Sequence, residues 1–213
     1  MNHFELESLL RRLEELPAVN RGDGSEYPDF SESLLEVLEV IAREQPEWAA
    51  RVQLIKDGAS KSANTWLDSY LDADGTGEQD ELLDFAIKHT LRRYWKSQGQ
   101  KLQDGPETAE CPNCGAQIDV AYIDQDGFRH AVCAICDSEW GIPRILCPWC
   151  GEKDAKNLVY YPYEQGYRLY HCKSCGKALP TADLREAGRL DLPKLRAAAI
   201  EMTFLLESGA VEE

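Results

Sequence analysis

The sequence contains no stretch that approaches the roughly 20 consecutive apolar residues needed for a membrane-spanning helix. Its first 20 residues carry four glutamates and no apolar segment of the kind found in a secretory signal. It also lacks a Gly-x-x-x-x-Gly-Lys phosphate loop and a Gly-x-Ser-x-Gly nucleophile elbow. These absences predict a cytoplasmic protein that has no membrane segment and is not an enzyme.

Positive charge is scarce. The chain of 213 residues has 23 Lys and Arg against 38 Asp and Glu, a formal net charge of −15, and both halves of the sequence are acidic. Affinity for nucleic acid depends mainly on neutralising phosphates with a basic surface. The composition therefore argues against a nucleic-acid partner.

Cysteine is absent outside one region, residues 111–175, where all eight cysteines occur as four Cys-x-x-Cys pairs. The two intervening residues let both thiolates of a pair fall on one side of a tight turn, where one tetrahedral ion can bind them. In a reducing compartment, paired cysteines are more often metal ligands than disulfides. The predicted metal ligands are Cys111, Cys114, Cys133, Cys136, Cys147, Cys150, Cys172 and Cys175.

The cysteine region is an internal duplication. Each copy opens with Cys-Pro-x-Cys-Gly, at 111–115 and at 147–151, and closes with Gly, an aromatic residue, Arg, three residues and Cys-x-x-Cys. Because each repeat holds one opening and one closing pair, we expect the first four cysteines to bind one ion and the last four another. A crossed pairing stays open, and four sulfurs suit either iron or zinc.

The pattern between the cysteine pairs predicts strands at 118–123 and 128–132 in the first copy, and at 158–163 and 167–171 in the second. Leucines at helical spacing predict a helix over 2–16 and a second helix that has Ser31 as its N-cap and ends before Pro46. Further helices are expected near 47–55, 60–71 and 78–96. A C-terminal helix is expected over 193–208, beginning with proline at its first position.

Together these elements predict an α+β protein. We expect a helical domain over 1–105, a first rubredoxin-like or zinc-ribbon module with four cysteine ligands over 106–142, and a second over 143–185. A C-terminal helix within 186–213 would pack on the body. For the connection that begins at Asp72, a calcium-binding EF-hand loop is the alternative to a plain helix–helix loop. Position 12 of an EF-hand loop requires a bidentate Glu, and in this sequence it is Leu83.

A four-cysteine site is closed, because protein atoms occupy every coordination position. His130 and His171 precede cysteine pairs but are not needed as ligands, and His89 is more typical of a structural histidine. The segment between the modules offers residue types common in recognition surfaces, and Glu139, Trp140 and Arg144 are predicted to bind a partner. For Trp140 a place in the core is an equal alternative.

The string from Cys133 to Trp140, followed by Arg144 and by Cys147-Pro148-Trp149-Cys150-Gly151, resembles the formate dehydrogenase accessory protein family, FdhE. The resemblance implies a cytoplasmic assembly factor that contacts the catalytic subunit of a formate dehydrogenase or related molybdoenzyme. It also implies rubredoxin-like modules able to hold iron. A rubredoxin-like electron carrier and a generic zinc-ribbon adaptor are the alternatives, and the oligomeric state is not predicted.

Overall fold

The computed structural model describes residues 3–20, 27–72, 80–102, 105–164 and 166–209. The chain divides into two compact units, Met1–Gln98 and Gly99–Glu213. The first unit is helical and the second is built around a β-sheet, so the predicted α+β class is confirmed. The finer boundaries predicted at 105, 142 and 185 stay a prediction.

The first unit forms because leucines at helical spacing give its helices an apolar face. Leu6, Leu9, Leu10 and Leu13 are all buried, as the sequence pattern predicts for the first helix. The helical elements are α1 (His3–Glu15), α2 (Phe30–Glu44), a 3-10 turn (Pro46–Trp48), α3 (Ala49–Asp72) and α4 (Glu81–Trp95).

The two helices predicted near 47–55 and 60–71 are in fact one continuous helix, α3. Gly58 lies between the two predicted segments, but its backbone does not adopt the left-handed conformation that ends a helix. A Cβ at this position would lie 2.9 Å from the indole of Trp66. Glycine here makes room for a side chain of the same helix, and the prediction of two separate helices was wrong.

The second unit contains one sheet and two helices. Its strands are β1 (Lys101–Leu102), β2 (Ile118–Ile123), β3 (Arg129–Cys133), β4 (Glu139–Ile142), β5 (Leu158–Pro162), β6 (Tyr167–Cys172) and β7 (Ala178–Asp183). The helices are α5 (Leu184–Ala187) and α6 (Leu192–Glu207). The two predicted hairpins are observed as β2–β3 and β5–β6, whereas β1, β4, β7 and α5 were not predicted.

The two cysteine modules share this sheet, whose strand order is β1-β4-β3-β2-β7-β6-β5. The connection between the modules is made by β7, which follows the last cysteine. It pairs in parallel with β2 of the first module, with Thr181 beside Ala121, and antiparallel with β6 of the second. The strand completes the backbone hydrogen bonds of both hairpins at once, so the duplicated modules form a single folded body.

Helix α6 covers one face of the sheet. Leu195, Ala198 and Met202 from the helix pack against Val120 of β2 and Leu169 of β6. Each of these five side chains is almost fully buried, and apolar burial of this kind is the main stabilising contribution in a small domain. Because the helix contacts strands of both modules, it reinforces the connection made by β7.

Among the residues that the structure describes, none of the helices combines the length and the apolar character needed to cross a lipid bilayer.

Candidate metal centres

Each cysteine pair lies on a turn with the same backbone geometry. In all four turns the amide of the first cysteine donates to the carbonyl five residues later, over 2.7 to 2.9 Å. The residue after the second cysteine is left-handed in every case: Gly115, Gly151, Gly176 and Asp137, with φ between 56° and 78°. Three of the four are glycine because a Cβ is unfavourable in that conformation.

The turns bring each predicted quartet of sulfurs together. We call Cys111, Cys114, Cys133 and Cys136 the first cluster, and Cys147, Cys150, Cys172 and Cys175 the second cluster. In each cluster the four Sγ atoms lie within 4.8 Å of one another. The quartets follow the repeats, so the crossed pairing that the sequence left open is not the one observed.

The sulfur spacing fits a tetrahedral ion. Two of the Sγ–Sγ distances in the first cluster are 3.4 and 3.6 Å, and two in the second are 3.6 and 3.7 Å. Metal–sulfur bonds of about 2.3 Å give a tetrahedron whose edge is about 3.8 Å, whereas a disulfide needs about 2.05 Å. Both clusters can therefore hold a metal ion, and the assignment of the eight cysteines as its ligands stays a prediction.

The first cluster is largely buried within the sheet unit. Three of its cysteines are buried, and the fourth, Cys114, is half-buried. Amides point at its sulfurs: those of Asn113 and Ile135 lie 3.4 and 3.3 Å from Sγ of Cys111 and Cys133. The Sγ of Cys136 donates to the Ser138 hydroxyl at 3.1 Å. The two amides stabilise negative charge on buried sulfur.

The thiols of the first cluster also affect one another. Hydrogen bonding with Cys114, and then with Cys133, lowers the pKa of Cys111 to about 6. Hydrogen bonding with Cys111, and then with Cys114, raises the pKa of Cys133. A metal binds thiolates, so a thiol that ionises near neutral pH favours the start of metal binding.

Arg196 of α6 lies next to the first cluster, and the sequence pattern did not single it out. Its guanidinium lies 2.9 Å from Asp119 and 2.7 Å from Asp137, and it donates to the carbonyl of Cys133 at 3.1 Å. Burial lowers the pKa of Arg196, but the two carboxylates raise it well above its usual value. The arginine thus fixes the left-handed Asp137 directly behind the first cluster. The signal in the sequence that could have indicated Arg196 was a charged residue within the apolar stretch of α6.

The second cluster is more open. Cys147 and Cys172 are buried, but Cys150 and Cys175 are exposed. Burial raises the pKa of Cys147 to about 12. A metal site with two exposed sulfurs is accessible to small molecules and to electron exchange.

Glu152 joins the two turns of the second cluster. It accepts hydrogen bonds from the Ser174 hydroxyl at 2.5 Å, from the Asn157 side chain at 2.9 Å and from the amide of Asp154 at 2.8 Å. These donors, Ser174 first, lower the pKa of Glu152 to about 2. The carboxylate is therefore ionised throughout the neutral range.

The residues predicted to bind a partner differ in exposure. Trp140 is fully buried, which favours the core role of the two considered for it. Glu139 is 9% exposed and bonds Tyr122 and, at 3.0 Å, Lys101. Arg144 is exposed. The partner role of these three residues stays a prediction.

The three histidines considered above, His89, His130 and His171, belong to neither cluster. His130 bonds Asp124 at 2.8 Å and stacks on Tyr122, and His171 stacks on Tyr161. His89 lies against Phe85, with ring centroids 4.4 Å apart. Most of the calcium-loop alternative, residues 73–79, lies outside the described residues.

The fold and the clusters define a class of protein, a helical unit followed by a metal-binding unit with two four-cysteine clusters. The crystal structure of the FdhE protein from Pseudomonas aeruginosa has the same fold, with a TM-score of 0.61 and 18% identity. The match covers 95% of this chain and 82% of that one.

Curated relatives named FdhE homolog extend this likeness to sequence. The one from Aquifex aeolicus is 27% identical over 163 residues, 72% of this chain and 56% of the relative. The one from Edwardsiella ictaluri is 30% identical over 95 residues, 40% of this chain and 30% of the relative. No protein-family model matches. The resemblance to the FdhE family is confirmed in sequence and in fold, although the chain spans about half the length, or less, of these relatives.

Proposed function

We propose that this protein acts in the maturation of a formate dehydrogenase or related molybdoenzyme, by binding its catalytic subunit in the cytoplasm. The likeness to FdhE proteins in both sequence and fold carries this proposal. It acts as a binding protein and not as a catalyst, since two closed four-cysteine sites leave no coordination position for a substrate.

In this proposal the two clusters each hold one iron or zinc ion. Their main role is structural, because each closed four-cysteine site joins two turns that are distant in the sequence. The ions hold the turns that shape the sheet unit, and this unit presents the docking surface. Arg144 is the exposed member of the three predicted partner residues, so we place it at that surface.

Anaerobic co-purification tests the proposal. The tagged chain, expressed in its own host, is expected to retain a formate dehydrogenase catalytic subunit, identified by mass spectrometry. R144E should reduce the amount retained. R189E is the matched control, because Arg189 is another exposed arginine of the same unit. If neither the parent chain nor R189E retains such a subunit, the maturation role is wrong.

A rubredoxin-like electron carrier is the second candidate, and the exposure of Cys150 and Cys175 favours it. An exposed sulfur provides a short path for an electron to a surface-bound partner. This function requires iron in the second cluster, with thiolate-to-iron absorption and reversible reduction. Protein isolated anaerobically from its host that is colourless and holds zinc at both clusters would exclude it.

A further inference from the structure

A small cavity with a volume of about 20 Å³ lies beside the second cluster. Its lining combines basic and aromatic side chains, and none of the residues that line it is Asp or Glu. This is unexpected in a chain whose acidic residues outnumber its basic ones by 38 to 23. The polar and aromatic lining residues are Arg129, Arg144, Trp149, Tyr170, His171 and Lys177.

Arg129 is the buried charge of this cavity. The residue is 3% exposed, its Nε atom has no hydrogen-bond partner, and its guanidinium lies 4.6 Å over the ring of Tyr170. Burial lowers the pKa of Arg129 to about 10, so the group is still positively charged at neutral pH. A buried charge without hydrogen-bonding partners is costly unless something else compensates it.

Three other arginines of the sheet unit show what is missing at this position. Arg168, Arg185 and Arg196 each bind a carboxylate. Among the described residues, no carboxylate pairs with Arg129, and none pairs with Arg144 or Lys177 at the exposed side of the cavity.

A second residue that lines the cavity also has a polar atom without a partner. Nδ1 of His171 is buried and forms no hydrogen bond with the described residues. The lining therefore carries excess positive charge that no carboxylate compensates. An occupant has to supply negative charge, and the guanidinium of Arg129 also needs hydrogen-bond acceptors.

The second cluster itself is a possible counter-charge. Cys147 and Cys172 also line the cavity, and four thiolates on a divalent ion carry a net charge of −2. However, neither sulfur accepts a hydrogen bond from Arg129, so its N–H groups keep their need for an acceptor. An oxyanion meets both needs, because charge-assisted hydrogen bonds to guanidinium are among the strongest in proteins.

We propose that this cavity, together with its exposed side, is a binding site for the carboxylate group of a small anion. Arg129 is its buried anchor, and Arg144 and Lys177 attract the anion at the exposed side. The inference concerns this chain alone and does not depend on the proposed partner.

A titration of the full-length, zinc-loaded, ¹⁵N-labelled chain with sodium acetate tests this site. The sodium chloride concentration is lowered by the same amount as the acetate concentration is raised, so that the ionic strength stays constant. The Nε–H signal of Arg129, assigned by its loss in R129K, is expected to shift saturably with one-site behaviour. In R144Q/K177Q the affinity should fall about tenfold, because two charged partners are lost.

The matched control is K156Q/R189Q, which removes the same charge from two exposed residues that do not line the cavity. It should bind acetate with unchanged affinity. The proposal is wrong if the Arg129 signal does not saturate, or if both double variants weaken binding equally. It is also wrong if the signal responds to removal of zinc from the second cluster but not to acetate, since the thiolates are then the counter-charge.

Discussion

The first and second clusters have nearly the same sulfur geometry but different surroundings. The first has three buried cysteines, whereas the second has two that are exposed. The motif that builds them is the same, so the difference comes from position in the sheet. The first module lies between β1 and β7, whereas the second ends at the edge strand β5.

Residues that precede the first module add to its cover. A Cβ on Gly99 would lie 2.6 Å from the carbonyl oxygen of Cys136, and the amide of Gln100 donates to Ser138 at 3.0 Å. A duplicated motif has thus produced one cluster suited to holding the fold and one accessible from solvent.

Replacing one cysteine ligand should give the largest difference in behaviour between the two clusters. C136A is expected to lose the first metal and to unfold the sheet unit. A structural metal contributes on the order of 10 kcal/mol to folding, which is comparable with the whole stability of a domain. C175A should lose the second metal and keep the first. Metal content by mass spectrometry and near-ultraviolet circular dichroism measure both outcomes, and equal unfolding of the two variants would contradict this division.

Replacing Arg196 should speed metal release from the first cluster and leave release from the second unchanged. R196Q leaves Asp119 and Asp137 without their buried cation, and a broken buried ion pair costs about 3 kcal/mol or more. Urea unfolding of the zinc-loaded protein gives the loss of stability, and a metal indicator gives the release rate from each cluster. R189Q, at an exposed arginine, is the control and should change stability by less than about 0.5 kcal/mol. Faster release from the second cluster alone would show that Arg196 does not support the first.

Metal exchange should be biphasic. In the zinc-loaded protein, a chelating indicator is expected to remove the second ion about tenfold faster than the first, because exposed sulfurs need less local opening. The fast phase should be absent in C175A, which identifies its origin. A single phase for both ions would mean that exposure does not control exchange.

The smallest effect is expected at Glu152. Its pKa in the folded state, about 2, is below the ordinary value of 4.5, so its contribution to stability is present above about pH 4.5 and lost as pH falls towards 2. E152Q should therefore be slightly less stable than the parent chain at neutral pH, and this difference should disappear in acid. The free energy of unfolding of both proteins is measured across this pH range. Both proteins release metal in acid, so the difference between them reports the effect of the carboxylate alone. A difference that grows as pH falls would contradict the assignment.

The clusters were largely predictable from the sequence, whereas their surroundings were not. Two residues between paired cysteines and a glycine after them determine the turn locally, so the repeats alone predict the four turns and the two quartets. Asp137 takes the glycine position in one turn. It contacts Arg196, which lies 59 residues further along the chain. Sequence spacing contains no signal for such a pair.

Local pattern therefore determined the α+β class, the hairpins, the cysteine turns and the apolar face of α6. The tertiary structure decided that β7 unites both modules in one sheet, that Trp140 is buried, and that Arg129 lies in a cavity without a carboxylate. The physical reason is the distance along the sequence over which each interaction acts. Turns and helical faces depend on residues a few positions apart, whereas strand order, burial and charge pairing depend on which distant segments meet.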